Sequence, residues 1–169
     1  MFQYKQKGLF KFVNNDDGLL LREIKDNINN LRLLKLNAVK RIVNEAEAVI
    51  HKMNLKKWEM DENFTYYSTK TCENEDKLPA HMKTLHCSPN YHFYDECVNT
   101  SLSSVHIPDY VPVRENEVSK AITWTEKLDR IFSNNYDKDP SLSWQYFCST
   151  TGILRHYPGL YEDYLSIMA

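Results

Sequence analysis

Glycine is scarce: the 169 residues hold only Gly8, Gly18, Gly152 and Gly159, where average usage would give about 12. Glycine-cradled phosphate and dinucleotide sites therefore have almost nothing to be built from. Long apolar runs are missing too, since no stretch approaches the roughly 18 residues of a membrane span. The N-terminal MFQYKQKGLFKFV mixes lysines with aromatics and has no apolar h-region or small-residue cleavage site, so it does not read as a signal peptide. Charge of one sign is also lacking: 21 Lys and Arg stand against 23 Asp and Glu, net −2. That balance argues against a bulk nucleic-acid binder. What is present, 42% apolar and 26% charged residues, suits one globular domain with a packed core.

The four cysteines, Cys72, Cys87, Cys97 and Cys148, are an even set with three in one 26-residue stretch. They allow three disulfide connectivities, among which sequence does not choose. Two N-x-[ST] glycosylation acceptors, Asn63-Phe-Thr65 and Asn99-Thr-Ser101, flank the same stretch and favour oxidised pairing over free thiols.

Neither Gly nor Pro occurs from Leu19 to Leu78. Within that span apolar residues recur at Leu20, Ile24, Ile28, Leu31, Leu34, Ala38, Ile42, Ala46, Val49 and Met53, a mean step of 3.67, the repeat of a straight amphipathic helix rather than of a left-handed coiled coil. One long helix over 19–57 follows, on the order of 58 Å at 1.5 Å per residue. Asn14 to Asp17 supply acceptors and negative charge near its start, and Lys52, Lys56 and Lys57 positive charge near its end, as the helix dipole favours. Leu19–Lys57 carries a net +5 and leaves −7 for the rest. The basic residues alternate with Asn and Glu and form no clustered patch, so a solvated polar face is the simpler reading, and no nucleic-acid partner is expected.

Further on, 63–69 is aromatic and β-branched and reads as a strand. Residues 72–99 hold Pro79, Pro89, three Cys and three His without a clear period, as a loop or disulfide-tied insert would. Ser104-Val-His-Ile-Pro108 is a second extended piece. Thr123-Trp-Thr-Glu126 has the form of a capping box, which predicts a second, shorter helix over 124–134. Asp139-Pro140 reads as a turn, and Trp144–Phe147 and Ile153–Tyr157 as two strands joined by a Ser-Thr-Thr-Gly turn. The order is α+β, a long helix leading into an antiparallel sheet.

Catalytic and metal constellations are weak. His81, His86, His92 and His106 with Cys72, Cys87 and Cys97 are zinc-type ligands without a compact zinc spacing, and no base-orienting partner marks any cysteine as a nucleophile. Asp137 and Asp139 read as a solvated loop rather than an acid/base pair. Trp144, Tyr146, Phe147, Arg155, His156 and Tyr157 form the richest cluster. Period-2 alternation would let Trp144, Tyr146, Arg155 and Tyr157 share one side of a hairpin as an aromatic wall with a guanidinium beside it. Such a wall suits a small zwitterion, and an ordinary aromatic sheet core is the simpler alternative.

Several blocks carry a resemblance. Val39-Lys-Arg-Ile-Val-Asn-Glu-Ala-Glu-Ala48, Met60-Asp-Glu-Asn-Phe-Thr-Tyr-Tyr67, Ser104-Val-His-Ile-Pro108 and Ile122-Thr-Trp-Thr-Glu-Lys-Leu128 occur in order. They are followed by the most specific pair, Asp139-Pro-Ser-Leu-Ser-Trp-Gln-Tyr-Phe147 and Gly152-Ile-Leu-Arg-His-Tyr-Pro158. Together they resemble the region preceding the von Willebrand factor A domain in alpha-2-delta auxiliary subunits of voltage-gated calcium channels.

The resemblance implies a tail at 1–16, the von Willebrand A N-terminal region at 17–158 with an insert at 72–99 and part of a Cache-type, PAS-like sheet at 100–158, and a divergent tail at 159–169. It implies a non-enzymatic subunit, glycosylated and disulfide-bonded, on the extracellular face of the plasma membrane, with the pore-forming channel subunit as partner. The alternative is a Cache-type module that binds small amino acids without a channel partner. By motif, Trp144, Tyr146 and His156 fall at ligand-pocket positions; Tyr146 stands where a small aliphatic is common, His156 where tyrosine is common, and Cys148 where glycine is usual. The Asp-x-Ser-x-Ser metal site belongs to the following von Willebrand A domain, so Ca2+ is expected only in a full-length relative and no cofactor in this chain. On this reading the 169 residues are a fragment of a larger protein.

Overall fold

The computed structural model describes residues 17–54, 64–70 and 79–161, and the chain divides into two compact units, residues 1–37 and 38–169. Helix α1, Asp17–Asn54, runs from the first into the second, with Asp17 in its first turn and His51 and Lys52 in its last. It begins two residues before the expected 19, and 55–57 lie outside the described residues.

In the first unit the helix buries none of its side chains from 17 to 37; Leu21 is 68% exposed and Ile28 59%. Isolated helical turns are marginal in water, and most helical stability comes from a packed face. Amide hydrogen exchange is therefore expected to be fast over 17–36 and slow over 42–53 of the same continuous helix; equal protection of the two stretches would refute this.

In the second unit α1 buries Ala38, Ile42, Ala46 and Val49, a stripe at steps of four, four and three that lies on one helical face. Ile42, Ala46 and Val49 of this stripe pack with Trp124, Leu128, Phe132 and Tyr157. Those partners come from α2 (Asn116–Thr125), a 3-10 turn (Glu126–Leu128), α3 (Asp129–Lys138) and the sheet. The single helix expected over 124–134 is thus two helices, and the capping box does not form. The apolar face begins earlier, at Val118, Ala121 and Ile122, all buried, so α2 starts at Asn116 and Thr123 lies inside it, its hydroxyl donating to the Ser119 carbonyl at 2.8 Å.

The strands are short: β1 (Tyr66–Tyr67), β2 (Met82–Lys83), β3 (Ser88–Asn90), β4 (Glu96–Val98), β5 (Ser104–His106), β6 (Gln145–Cys148) and β7 (Leu154–Tyr157). β1 pairs parallel with β2, β3 antiparallel with β4, and β5-β7-β6 form an antiparallel three-stranded sheet. The chain is α+β, as its sequence order implied. Of the strand expected over 63–69, Tyr66–Tyr67 form β1 and Ser68 makes an isolated bridge to Val105, while Asn63 lies outside the described residues; the insert is partly ordered by β2, β3 and β4.

A Cys87–Cys97 disulfide, Cα atoms 5.3 Å apart, ties the β3–β4 hairpin. Cys148 is an exposed free thiol in this structure, and Cys72 lies outside the described residues. Between β6 and β7 the Ser149 amide donates to the Ile153 carbonyl at 2.9 Å, and Gly152 closes the turn at φ +88°, a conformation in which other residues are strained. Gly159 exchanges backbone hydrogen bonds with Asn99 (2.8 and 3.0 Å), and Leu160 is 2% exposed. A Cβ at Gly159 would come within 3.1 Å of the Leu102 carbonyl.

Candidate functional site

The β6–β7 turn decides which side chains meet. Its register opposes Gln145 to Tyr157, Tyr146 to His156, Phe147 to Arg155 and Cys148 to Leu154. Directly opposed residues share a face, so the four-residue wall expected from alternation divides. Trp144, Tyr146 and His156 gather on one side: the Tyr146 and His156 rings meet edge to face at 4.5 Å, and Trp144 and His156 at 6.0 Å. Arg155 and Tyr157 lie on the other side, among the helices.

The aromatic side is extended by the disulfide-tied hairpin. The 3-10 turn Tyr91–Phe93 brings fully buried Phe93 edge-on to Trp144 at 5.0 Å. Tyr94 follows in the left-handed conformation (φ 60°) and Asp95 likewise (φ 62°), which reverses the chain into β4. Tyr136 of α3 approaches both His92 and Phe93.

His156 is 1% exposed. Burial pushes its pKa down to about 4; a hydrogen bond to the Pro158 carbonyl opposes this, and nearby His106 adds to it. The imidazole is thus neutral at pH 7. Its Nδ1 is buried and has no hydrogen-bond partner among the described residues. Tyr146, 46% exposed, covers the ring, and its hydroxyl is shifted up by desolvation. Chemically this is an aromatic platform with a neutral imidazole buried beneath it. Its faces can take a cation.

Arg155 is spent elsewhere. It is 3% exposed, and its Nε donates to Thr125 Oγ1 at 2.9 Å, Nη1 to Ser103 Oγ at 2.7 Å and Nη2 to the Ile122 carbonyl at 2.8 Å. Asp129 Oδ1 lies 3.8 Å from Nη1 and accepts from the Ser103 hydroxyl. The guanidinium therefore cross-links α2, the start of β5 and α3 rather than facing a ligand.

Among the described residues no group of three or more His, Cys, Asp or Glu could hold a metal ion. Asp139-Pro-Ser-Leu-Ser143 matches the letters Asp-x-Ser-x-Ser, but it is a turn: Asp139 Oδ1 accepts from the Ser141 amide at 3.1 Å and the Ser141 hydroxyl at 2.6 Å. At the described sequon, Asn99 Nδ2 donates to the His86 carbonyl at 2.8 Å, while Oδ1 accepts from the Ser101 and Leu102 amides at 2.9 and 3.1 Å. A glycan on Nδ2 would leave one hydrogen for His86. Asn63 lies outside the described residues.

A buried polar network escaped sequence reasoning. Asn135, fully buried, accepts from Arg41 Nε at 2.7 Å and donates to Gln145 Oε1 at 2.9 Å and the Ala38 carbonyl at 3.3 Å. Gln145 Nε2 in turn donates to the Phe132 carbonyl at 3.0 Å. The network joins α1, α3 and β6, and behind the platform it holds the strand that carries Tyr146.

Comparison with known proteins follows the same outline. The family model described as VWA N-terminal matches residues 45–161, a stretch that includes the platform, Arg155 and Asn135. The chain belongs to the VWA N-terminal family. It is 32% identical over 162 residues to the rat voltage-dependent calcium channel subunit alpha-2/delta-3, covering 94% of this chain and 15% of the relative. To the human alpha-2/delta-4 subunit it is 33% identical over 164 residues, 94% of this chain and 14% of the relative. To the human alpha-2/delta-2 subunit it is 29% identical over 166 residues, 90% and 14% respectively. The chain thus spans about one seventh of the length of the curated relatives it matches. No helix of the described residues is long and apolar enough to cross a membrane.

Proposed function

We propose that this chain is part of a non-enzymatic auxiliary subunit of a voltage-gated calcium channel, acting on the extracellular face of the plasma membrane with the pore-forming subunit as its partner. The carrying observation is the VWA N-terminal match over 45–161 together with relatives named as alpha-2/delta subunits. Its role there is to support channel surface density and gating, with glycans at Asn63 and Asn99. The platform of Trp144, Tyr146 and His156 binds the ammonium end of a small amino-acid-like ligand through its aromatic faces. Because Arg155 is committed to the core, the ligand's carboxylate is met by groups elsewhere in the full-length protein.

The test is a chimera in which residues 45–161 of this chain replace the matching stretch of the rat alpha-2/delta-3 subunit, co-expressed with a pore-forming subunit. The chimera is expected to reach the surface and keep the parent's increase in calcium current. A chimera that is surface-labelled at the parent's level yet adds no current would overturn the channel reading. A chimera bearing Trp144→Ala that binds leucine as the unmutated chimera does would remove the ligand assignment.

A further inference from the structure

The disulfide-tied hairpin carries a tip whose outer side chains the fold does not use. The chain runs out as β3, turns through Tyr91–Phe93 and returns as β4, closed at its base by Cys87–Cys97. Phe93 is fully buried, and the His92 ring stands 3.8 Å from that of Tyr91 and 5.9 Å from that of Tyr136. The Asn90 side chain accepts from the His92 amide at 3.0 Å, and the Asp95 amide donates to the Asn90 carbonyl at 3.0 Å. The tip is thus held in one shape from within. Outward, Tyr91 is 76% exposed and Tyr94 79%, with Asp95 exposed beside them. Tyr94 and Asp95 both hold left-handed backbone, φ 60° and 62°, which is strained for a bulky side chain and unstrained for glycine. A tyrosine ring left in water returns nothing to the fold for that strain. Residues held in this way cluster where a surface meets a ligand or a switch. Charge at the tip is of one sign: residues 84–113 include no lysine or arginine, and neither Asp95 nor Glu96 is ion-paired to a described residue.

We propose that this tip, Tyr91 and Tyr94 with Asp95 and Glu96 beside them, docks on a lysine- or arginine-bearing extracellular surface of the pore-forming subunit. The inference rests on the channel reading and adds to it the surface by which this stretch makes contact. Tyrosine suits such a contact, because its ring offers apolar area and a face for a cation while its hydroxyl stays wet. The carboxylates complement the same cations and steer their approach. Because the tip is preformed, docking orders little beyond the two rings. A surface covered permanently by another part of the full-length chain would be core-like, apolar and poor in charge, as obligate interfaces are. Two tyrosines rimmed by unpaired carboxylates have instead the composition of a contact between separate proteins.

The test uses the chimera described above, with its affinity for the co-expressed pore-forming subunit measured on detergent-solubilised protein at low and high salt. The substitutions are chosen to spare the fold: Tyr91→Ser removes an exposed ring, and in Tyr94→Gly and Asp95→Asn the new residue accepts left-handed backbone. Tyr91→Ser with Tyr94→Gly is expected to weaken binding at least about tenfold. Asp95→Asn is expected to weaken it less and to flatten its salt dependence. Tyr94→Gly in the 169-residue chain should melt no lower than the unmutated chain, because the strain is relieved, whereas a merely structural tyrosine would lower the melting temperature when removed. Unchanged affinity in the double variant overturns the docking assignment and leaves the channel reading in place, as does affinity lost only in step with melting temperature. A fall in surface level with affinity kept would place the tip in a contact inside the full-length chain and also overturns the assignment. An unmutated chimera that does not bind the pore-forming subunit overturns both readings together.

Discussion

Replacing Arg155 by methionine costs this fold about 3–5 kcal/mol, read as a lowered urea midpoint with an unchanged slope. The guanidinium is 3% exposed and makes three hydrogen bonds besides its approach to Asp129. Methionine fills a similar volume but supplies none of the three donors that reach Thr125 Oγ1, Ser103 Oγ and the Ile122 carbonyl. It also leaves the Asp129 carboxylate, already disfavoured by burial, with no countercharge. The loss is therefore that of breaking a buried pair rather than of forgoing a surface one. A double variant, Arg155→Met with Asp129→Leu, is expected to recover much of the loss, since removing both charges together removes the desolvation cost. A single-variant loss below about 1 kcal/mol, the scale of exposed pairs, would refute the argument.

Acid weakens the same unit through His156. In the unfolded chain the imidazole titrates near its ordinary value of 6.5, and in the fold burial lowers it to about 4. Above pH 6.5 both states are neutral and the residue contributes nothing to pH dependence. As pH falls from 6.5 toward 4 the unfolded state takes the proton first, so stability is lost across that window, by about 3 kcal/mol at the bottom of it. Asp129 acts in the opposite sense: its folded carboxyl is raised above its ordinary value by burial, so its protonation favours the fold as pH drops. The His156 contribution is isolated by comparison with His156→Phe, which keeps an aromatic ring beside Tyr146 and cannot titrate. The variant is expected to show a flatter stability profile between pH 7 and 4; an identical acid sensitivity in the two proteins would rule out His156 as the source.

The long helix was legible because its period runs uninterrupted over many turns, so tertiary packing had little to override. The β6–β7 hairpin was legible for a similar reason, two aromatic runs around a turn. Its faces were not. Alternation fixes the sides within each strand, but which side of one strand matches which side of the other depends on how many residues the turn uses. Here Ser149 pairs with Ile153, which set His156 rather than Arg155 beside Tyr146. Trp144, Tyr146 and His156, named together by motif, are neighbours in the fold, a grouping that alternation alone did not contain. Strands of two or three residues such as β2 and β3 carry no measurable period and hid in the insert. Thr123-Trp-Thr-Glu126 failed as a start signal because an apolar face already running from Val118 had begun the helix, and a threonine inside a helix bonds backward to the preceding turn. The Arg41–Asn135 contact joins residues 94 apart in sequence, and no local pattern announces such a pair.

The buried stripe of α1 starts at Ala38, whereas the VWA N-terminal match begins at 45. A protein trimmed to 45–161 would discard Ala38, Arg41 and Ile42. It would expose the flank of Phe132 and Leu128 to water and take from Asn135 both its Arg41 donor and its Ala38 acceptor. An amide oxygen stranded at a fully buried position costs about 1–3 kcal/mol by itself. The boundary of the family match is thus not the boundary of stability, and the shortest self-sufficient piece of this chain has to begin at least two turns of helix earlier.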